Sequence, residues 1–204
     1  MKDMETRKIS VNAEDLKPSQ NDLYLGHIFS RFIVRDDERK SVLNSSLKDL
    51  DMIISQDDYI IDGHHRWALV MILDPTCEII CTQIKKKFDD IIDDLDDISD
   101  KEPHKKSGEF KLEDWIDKKD DVVKNKIIDI MKNAIKNGVS VGENHYQSDK
   151  DWKLKKYLKK IGKKLDIEEE DVIDYLYDNL KKIPRTNKKI ERKHMPQVKK
   201  EDVE

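Results

Sequence analysis

Apolar residues in the first 86 positions fall in short runs, and those in the remainder recur every three or four positions. The pattern predicts strands mixed with helices first and helices alone afterwards. Ile9-Ser10-Val11 is a short strand candidate, followed by a loop from Asp15 to Gln20 that contains Leu16-Lys17-Pro18-Ser19. Ser19 is placed to cap a helix from Gln20 to about Ile33, in which Leu23, Tyr24, His27 and Ile28 form a stripe widened by Leu25 and Phe29. The charged stretch Arg35 to Lys40 reads as a loop. Met52-Ile53-Ile54 and Tyr59-Ile60-Ile61, separated by Gln56-Asp57-Asp58, read as a hairpin. Trp67, Val70 and Met71 continue a helix that Asp74-Pro75 ends, and Cys77-Glu78-Ile79-Ile80-Cys81 reads as a buried strand.

From Phe88 the period is helical. Phe88, Ile91, Ile92, Leu95 and Ile98 form the apolar side of an acidic amphipathic helix packed on the first half, and Asp100 to Glu109 reads as a linker. Val123, Ile127, Ile130, Met131 and Ala134 form a stripe that stops at Gly138, and Gly138 to Tyr146 reads as a loop. Leu154, Tyr157, Leu158, Ile161 and Leu165 make another stripe. Asp166 and Glu169 read as the start of a last helix carrying Val172, Ile173, Leu176 and Leu180, which Pro184 ends. The tail from Arg185 to Glu204 lacks apolar periodicity and is expected to be disordered.

The chain has 204 residues, 41% of them charged and 36% hydrophobic, which predicts a limited core with long solvated helices around it. The net charge of -4 hides an acidic stretch from Asp89 to Asp100 and a basic one from Lys181 to Lys200, so only the tail offers nucleic acid a local electrostatic footing. No apolar run approaches the roughly 20 residues that span a bilayer, and no secretory-signal core follows Met1, so a cytoplasmic protein with no membrane partner is expected. Cys77 and Cys81 lie about 13 Å apart along a strand, too far for a disulfide, and are expected as buried thiols.

The chemistry concentrates in Tyr59-Ile60-Ile61-Asp62-Gly63-His64-His65-Arg66-Trp67-Ala68, a strand, turn and helix start. A helix start presents backbone N–H groups and the positive end of the helix dipole, and a preceding Gly lets a phosphate approach closely. Arg66 can grip such a phosphate bidentately, His64 or His65 can donate to developing charge, and Asp62 can hold a magnesium ion that bridges phosphate oxygens. In the alternative reading Asp62 caps the helix, Arg66 forms a surface salt bridge and one histidine is satisfied in the core. Ser19, Gln20 and His27 are candidate pocket walls, with a packed core position the alternative for His27. His145, Tyr146 and Trp152 offer rings in or beside a loop, where a base could stack.

Together with Ile9-Ser10-Val11 and Leu16-Lys17-Pro18-Ser19, the Asp62-to-Arg66 turn resembles the ParB/sulfiredoxin-like superfamily over roughly Lys8 to Lys86. The resemblance implies an α+β fold with a small mixed-sheet nucleotide-binding domain at 8–86; composition and period add an acidic helix and linker at 87–109, a helical domain at 110–183 and a disordered basic tail at 184–204. It implies that Gly63, His64, His65 and Arg66 cradle the phosphates of a nucleoside di- or triphosphate with Mg2+. Sulfiredoxins carry a nucleophilic Cys where this chain has His64, which argues against that activity. The free-serine kinases of the superfamily carry the same Asp-Gly-His-His-Arg string, implying phosphotransfer to an unidentified hydroxyl acceptor with Asp62, His64 and His65 as catalytic candidates. Their acidic base after the Leu-x-Pro loop is replaced here by Ser19 and Gln20, leaving Asp22 or Glu14. The second implied function is a DNA-associated ParB-like module or nuclease. The stretch from Leu158 to Val172 resembles a helix-turn-helix, and the basic tail adds a possible DNA contact; Glu168-Glu169-Glu170-Asp171 would repel a phosphate backbone.

Overall fold

The structure, a computed structural model, describes residues 4–20, 22–43, 49–96, 111, 115, 117–141, 144–146, 153–186 and 188. It is an α+β fold built on a mixed sheet of four strands: β1 (Thr6–Asn12), β2 (Asp49–Ile54), β3 (Ile60–Asp62) and β4 (Glu78–Ile84), in the order β1-β4-β2-β3. β1 and β3 run antiparallel to their neighbours, and β2 runs parallel to β4. The parallel step needs a crossover, which α3 (His64–Leu73) supplies between β3 and β4.

One face of the sheet meets α1 (Leu25–Val34) and α3, where Phe29, Phe32 and Trp67 are fully buried. The other face carries a smaller cluster, Ile53, Ile61 and Ile84, closed by Phe88 and Ile91 of α4 (Phe88–Asp96). The acidic helix therefore buries Phe88 and Ile91 against the sheet, with Ile92 partly buried beside them, as its period predicts for those positions; the side chain of Leu95 lies outside the described residues. Asp57, in the turn between β2 and β3, accepts the Phe88 N–H at 2.8 Å and holds the start of this helix. The helices α5 (Asp120–Asn137), α6 (Leu154–Leu165) and α7 (Val172–Lys181) join the larger core: α5 packs on α1 and α7 on α3. Tyr175 Oη donates to Leu73 O at 2.8 Å and Asn179 Nδ2 to Ile72 O at 3.2 Å, tying α7 to the C-terminal end of α3.

Cys77 and Cys81 are free and buried, as expected. Burial, with Asp74 and Glu78 nearby, pushes the Cys77 thiol up, which makes it a poor nucleophile.

Four sequence expectations are corrected. The helix expected from Gln20 begins at Leu25, and Ser19 does not cap it. The preceding loop instead runs beside β3, with Lys17 N–H on Asp58 O and Ile60 N–H on Lys17 O, each at 2.9 Å. Arg35 to Lys40 is not a loop, because Asp36–Leu43 forms α2. Its Arg39 is buried, donates to Phe32 O and Ile33 O at the end of α1, and lies over the rings of Phe32 and Tyr157. That long-range capture is invisible in a local charge pattern. Gly138 to Tyr146 contains a hairpin of β5 (Val139–Val141) and β6 (Asn144–Tyr146). Finally, Asp166 does not start the last helix: it closes α6 in the left-handed region at φ 57°, and α7 begins at Val172 with Asp171 as N-cap. The turn is tight because Gly162 admits it; a Cβ there would lie 2.6 Å from Ile167 O.

The side chains of His145 and Tyr146, together with Ile98, Trp152, the whole 100–109 linker and the tail beyond Lys188, lie outside the described residues.

Candidate phosphate-binding turn

β3 delivers the chain to Gly63, the N-cap of α3, which adopts φ 101° and ψ 15°. This left-handed conformation favours glycine, and a Cβ would meet Met52 Cγ at 2.8 Å. No side chain caps the helix start. The first backbone bond of the helix is Trp67 N–H to Gly63 O at 2.9 Å, so the turn 63–66 carries the N–H groups that have no acceptor one turn earlier within the helix.

The three polar side chains of that turn diverge. Arg66 folds back over Gly63: its Nε and Nη2 would each lie 3.3 Å from a Cβ at Gly63. Its Nη2 is also 2.5 Å from Asp62 Oδ2, and the two side chains are 23% and 45% exposed. Asp62 and Arg66 thus bracket the glycine, one at the strand end and one in the helix.

His64 turns inward and is buried. Its Nε2 lies 3.2 Å from the Ser19 amide and 3.1 Å from Ser19 Oγ. An amide always brings a proton, so Nε2 is the acceptor and the neutral ring carries its proton on Nδ1. Ser19 Oγ donates to Ile60 O at 2.5 Å. The Ser19 hydroxyl is wholly buried and already donates, so this pair joins the Leu16–Gln20 loop to the helix start; it is not arranged as a nucleophile and base.

His65 is half-buried on the outer side. The Tyr24 amide donates to its Nε2 at 3.3 Å. Its ring lies 6.2 Å from the Tyr24 ring, stacked, and 4.9 Å from that of His27. The start of α1 and the start of α3 thereby share a cluster of three rings, and His27 does reach the turn. Gln20 is buried, and its Oε1 has no hydrogen-bond partner. Asp22 pairs with Lys111 at 2.5 Å, while Glu14 is exposed on a short 3-10 turn. Sequence reasoning missed Tyr24 as a neighbour of His65, because only the fold brings the two together.

Asp62 is the carboxylate nearest in sequence to the turn, and among the described residues no three His, Cys, Asp or Glu side chains converge as a metal cage. One half-exposed carboxylate fits magnesium, which keeps most of its waters and is commonly held by one or two carboxylates and the phosphates of a substrate.

No protein-family model and no curated protein matches the chain. Among solved structures the chain is similar to a Pnob8-like ParB-N domain, at 17% identity over 88% of this chain and 71% of that one, with a TM-score of 0.31. That similarity is too loose to carry either fold or chemistry, which rest on the elements and side chains described above.

Proposed function

We infer that the β3–α3 turn binds the phosphates of a nucleoside di- or triphosphate, and that the chain is a ParB/sulfiredoxin-like phosphotransferase acting on a hydroxyl acceptor. The observation that carries the reading is Gly63, left-handed and uncapped at the start of α3, with the Arg66 guanidinium folded across it. Backbone N–H groups, the positive helix end and a bidentate cation then converge where an anion can approach without meeting a Cβ. In this proposal Gly63, His64 and His65 contribute backbone donors, and Arg66 neutralises the phosphate. Asp62 would hold Mg2+, which would supply charge neutralisation to the phosphates when bound. His65, beside Tyr24 and His27, is the side chain placed to handle a proton, while His64 positions the turn through Ser19. The test is incubation with ATP, ADP or CTP and magnesium, reading phosphate release or transfer across a panel of small hydroxyl compounds. Turnover that is lost in His65→Ala supports the assignment, and absence of turnover with every nucleotide and acceptor removes it.

A second reading, a nucleic-acid-associated module, is favoured by α6. Lys155, Lys156, Lys159, Lys160, Lys163 and Lys164 are all exposed on that one helix. The helix after it does not serve as a reader, since Val172, Leu176 and Leu180 are buried and Tyr175 and Asn179 bind α3. DNA affinity that falls steeply with salt, and falls again when Lys159 and Lys163 are changed to Gln, would support this reading.

A further inference from the structure

The chain that leaves α7 at Lys181 returns to the sheet on the face that α4 covers, opposite to α3. Thr186 Oγ1 accepts the Lys188 N–H at 3.0 Å and turns the chain inward. Lys188 Nζ then lies 2.7 and 2.8 Å from the two carboxylate oxygens of Asp89, in the first turn of α4. The same ammonium stands 4.8 Å over the Tyr59 ring and 5.1 Å over that of Phe88, two rings whose centroids are 5.2 Å apart. The Lys188 side chain is only 19% exposed. Two rings and a carboxylate make a cage for a cation, and a cation of the chain itself fills it. The hydrogen bond to Asp89 raises the Lys188 ammonium above its ordinary value, so the cage holds a charge throughout the neutral range.

Beyond the cage the helix has carboxylates to spare. α4 carries Asp89, Asp90, Asp93 and Asp94, and residues 89–100 contain no lysine or arginine. Asp94 pairs with Lys86, whereas the exposed Asp90 and Asp93 make no ion pair among the described residues. Lys17, the other cation over Tyr59, donates to Asp57 O at 3.0 Å and is engaged at the β2–β3 turn. The chain that follows Lys188 lies outside the described residues and reads Lys189-Ile190-Glu191-Arg192-Lys193, three cations against one carboxylate. Five residues can reach about 16 Å, and α4 rises only about 7.5 Å from Asp89 to Asp94. The basic segment is therefore long enough to meet the unpaired aspartates.

We propose that the cage of Tyr59, Phe88 and Asp89 anchors an interaction surface along α4 whose occupant is the chain's own segment 188–193. Lys189, Arg192 and Lys193 answer Asp90 and Asp93 and share Asp94 with Lys86, a contact that needs charge and no regular structure. Each exposed pair is weak by itself, so the seated Lys188 supplies the position. Tethering favours this occupant over a second copy, because a linker of a few residues holds the segment at an effective millimolar concentration. A segment so docked is neutralised within the chain, which takes away the local footing that the basic tail offers nucleic acid. The surface lies across the sheet from α3 and does not depend on how the β3–α3 turn functions.

The test is carbodiimide cross-linking of the full chain at low ionic strength, which joins a lysine to a carboxylate where the two touch. Peptide mass spectrometry of an equimolar mixture of 14N and 15N protein then separates links within one chain from links between two. The proposal expects a Lys188–Asp89 link and, beside it, links from Lys189 or Lys193 to Asp90, Asp93 or Asp94, all within one isotope. Raising the ionic strength to about 1 M, where the screening length falls to about 3 Å, is expected to remove the second set. Lys188→Gln is expected to lower that set about threefold or more. Absence of the second set, links of mixed isotope, or a second set unchanged by salt or by Lys188→Gln would each overturn it.

Discussion

Arg66 Nη2 sits 2.5 Å from Asp62 Oδ2, four residues apart across the left-handed Gly63, so the cation proposed to hold a phosphate already holds a carboxylate. A phosphate entering the turn must exchange with Asp62. Both side chains are partly exposed, and such a pair contributes only about 0 to 1 kcal/mol, so the exchange is easy. Asp62→Asn is expected to tighten nucleotide binding by up to about fivefold in the absence of magnesium. It is also expected to remove any gain that magnesium gives the wild type. Calorimetry with and without the metal separates the two effects; unchanged affinity under both conditions would remove Asp62 from the site.

Gly63 is a backbone requirement before it is a binding residue. Gly63→Ala places a Cβ 2.8 Å from Met52 Cγ at φ 101°. A loss of about 1 to 3 kcal/mol in unfolding free energy is expected, measured by urea titration at constant m-value.

Ser19 and His64 form one unit joining the loop before α1 to the start of α3. Ser19→Ala is expected to cost about 1 to 2 kcal/mol, and the double variant with His64→Ala less than the sum of the two single changes. Strict additivity in that cycle would show that the two side chains act independently.

Asp57 gives the fold an acid-sensitive joint. Burial pushes its carboxyl up, but the Ser55 hydroxyl, the Phe88 N–H and nearby Lys188 outweigh that and hold it below its ordinary value of 3.8. Since the folded value is depressed, the contribution is fully present above the unfolded value and is lost as pH falls through the folded one. Asp57→Asn is therefore expected to reduce stability at neutral pH and to flatten the loss of stability below roughly pH 4. Parallel acid-unfolding curves for the variant and the wild type would contradict this.

The turn at Asp62 to Arg66 was legible in the sequence because strand, glycine and helix start are all local signals. The apolar side of α4 followed from period, whereas the mixed sheet was implied by the family resemblance. What escaped depends on distant partners. Arg39 draws a charged stretch into α2 by reaching the carbonyls that end α1. Ser19, a good capping residue by type, gives its hydroxyl proton to Ile60 O and its amide proton to His64, so α1 starts later. Asp166 carries a helix-starting signature yet ends α6, because Gly162 lets the chain turn closely behind it. The two histidines are adjacent in sequence, and nothing local says that one meets Ser19 inside while the other meets Tyr24 and His27 outside.

The central claim, that the β3–α3 turn holds nucleotide phosphates, is tested most directly by calorimetric titration of ATP, ADP and CTP with magnesium into the wild type and Arg66→Ala. The expected result is binding of at least one nucleotide that Arg66→Ala weakens by about 1.5 to 3 kcal/mol. No binding of any of the three, or the same affinity in both proteins, would contradict it.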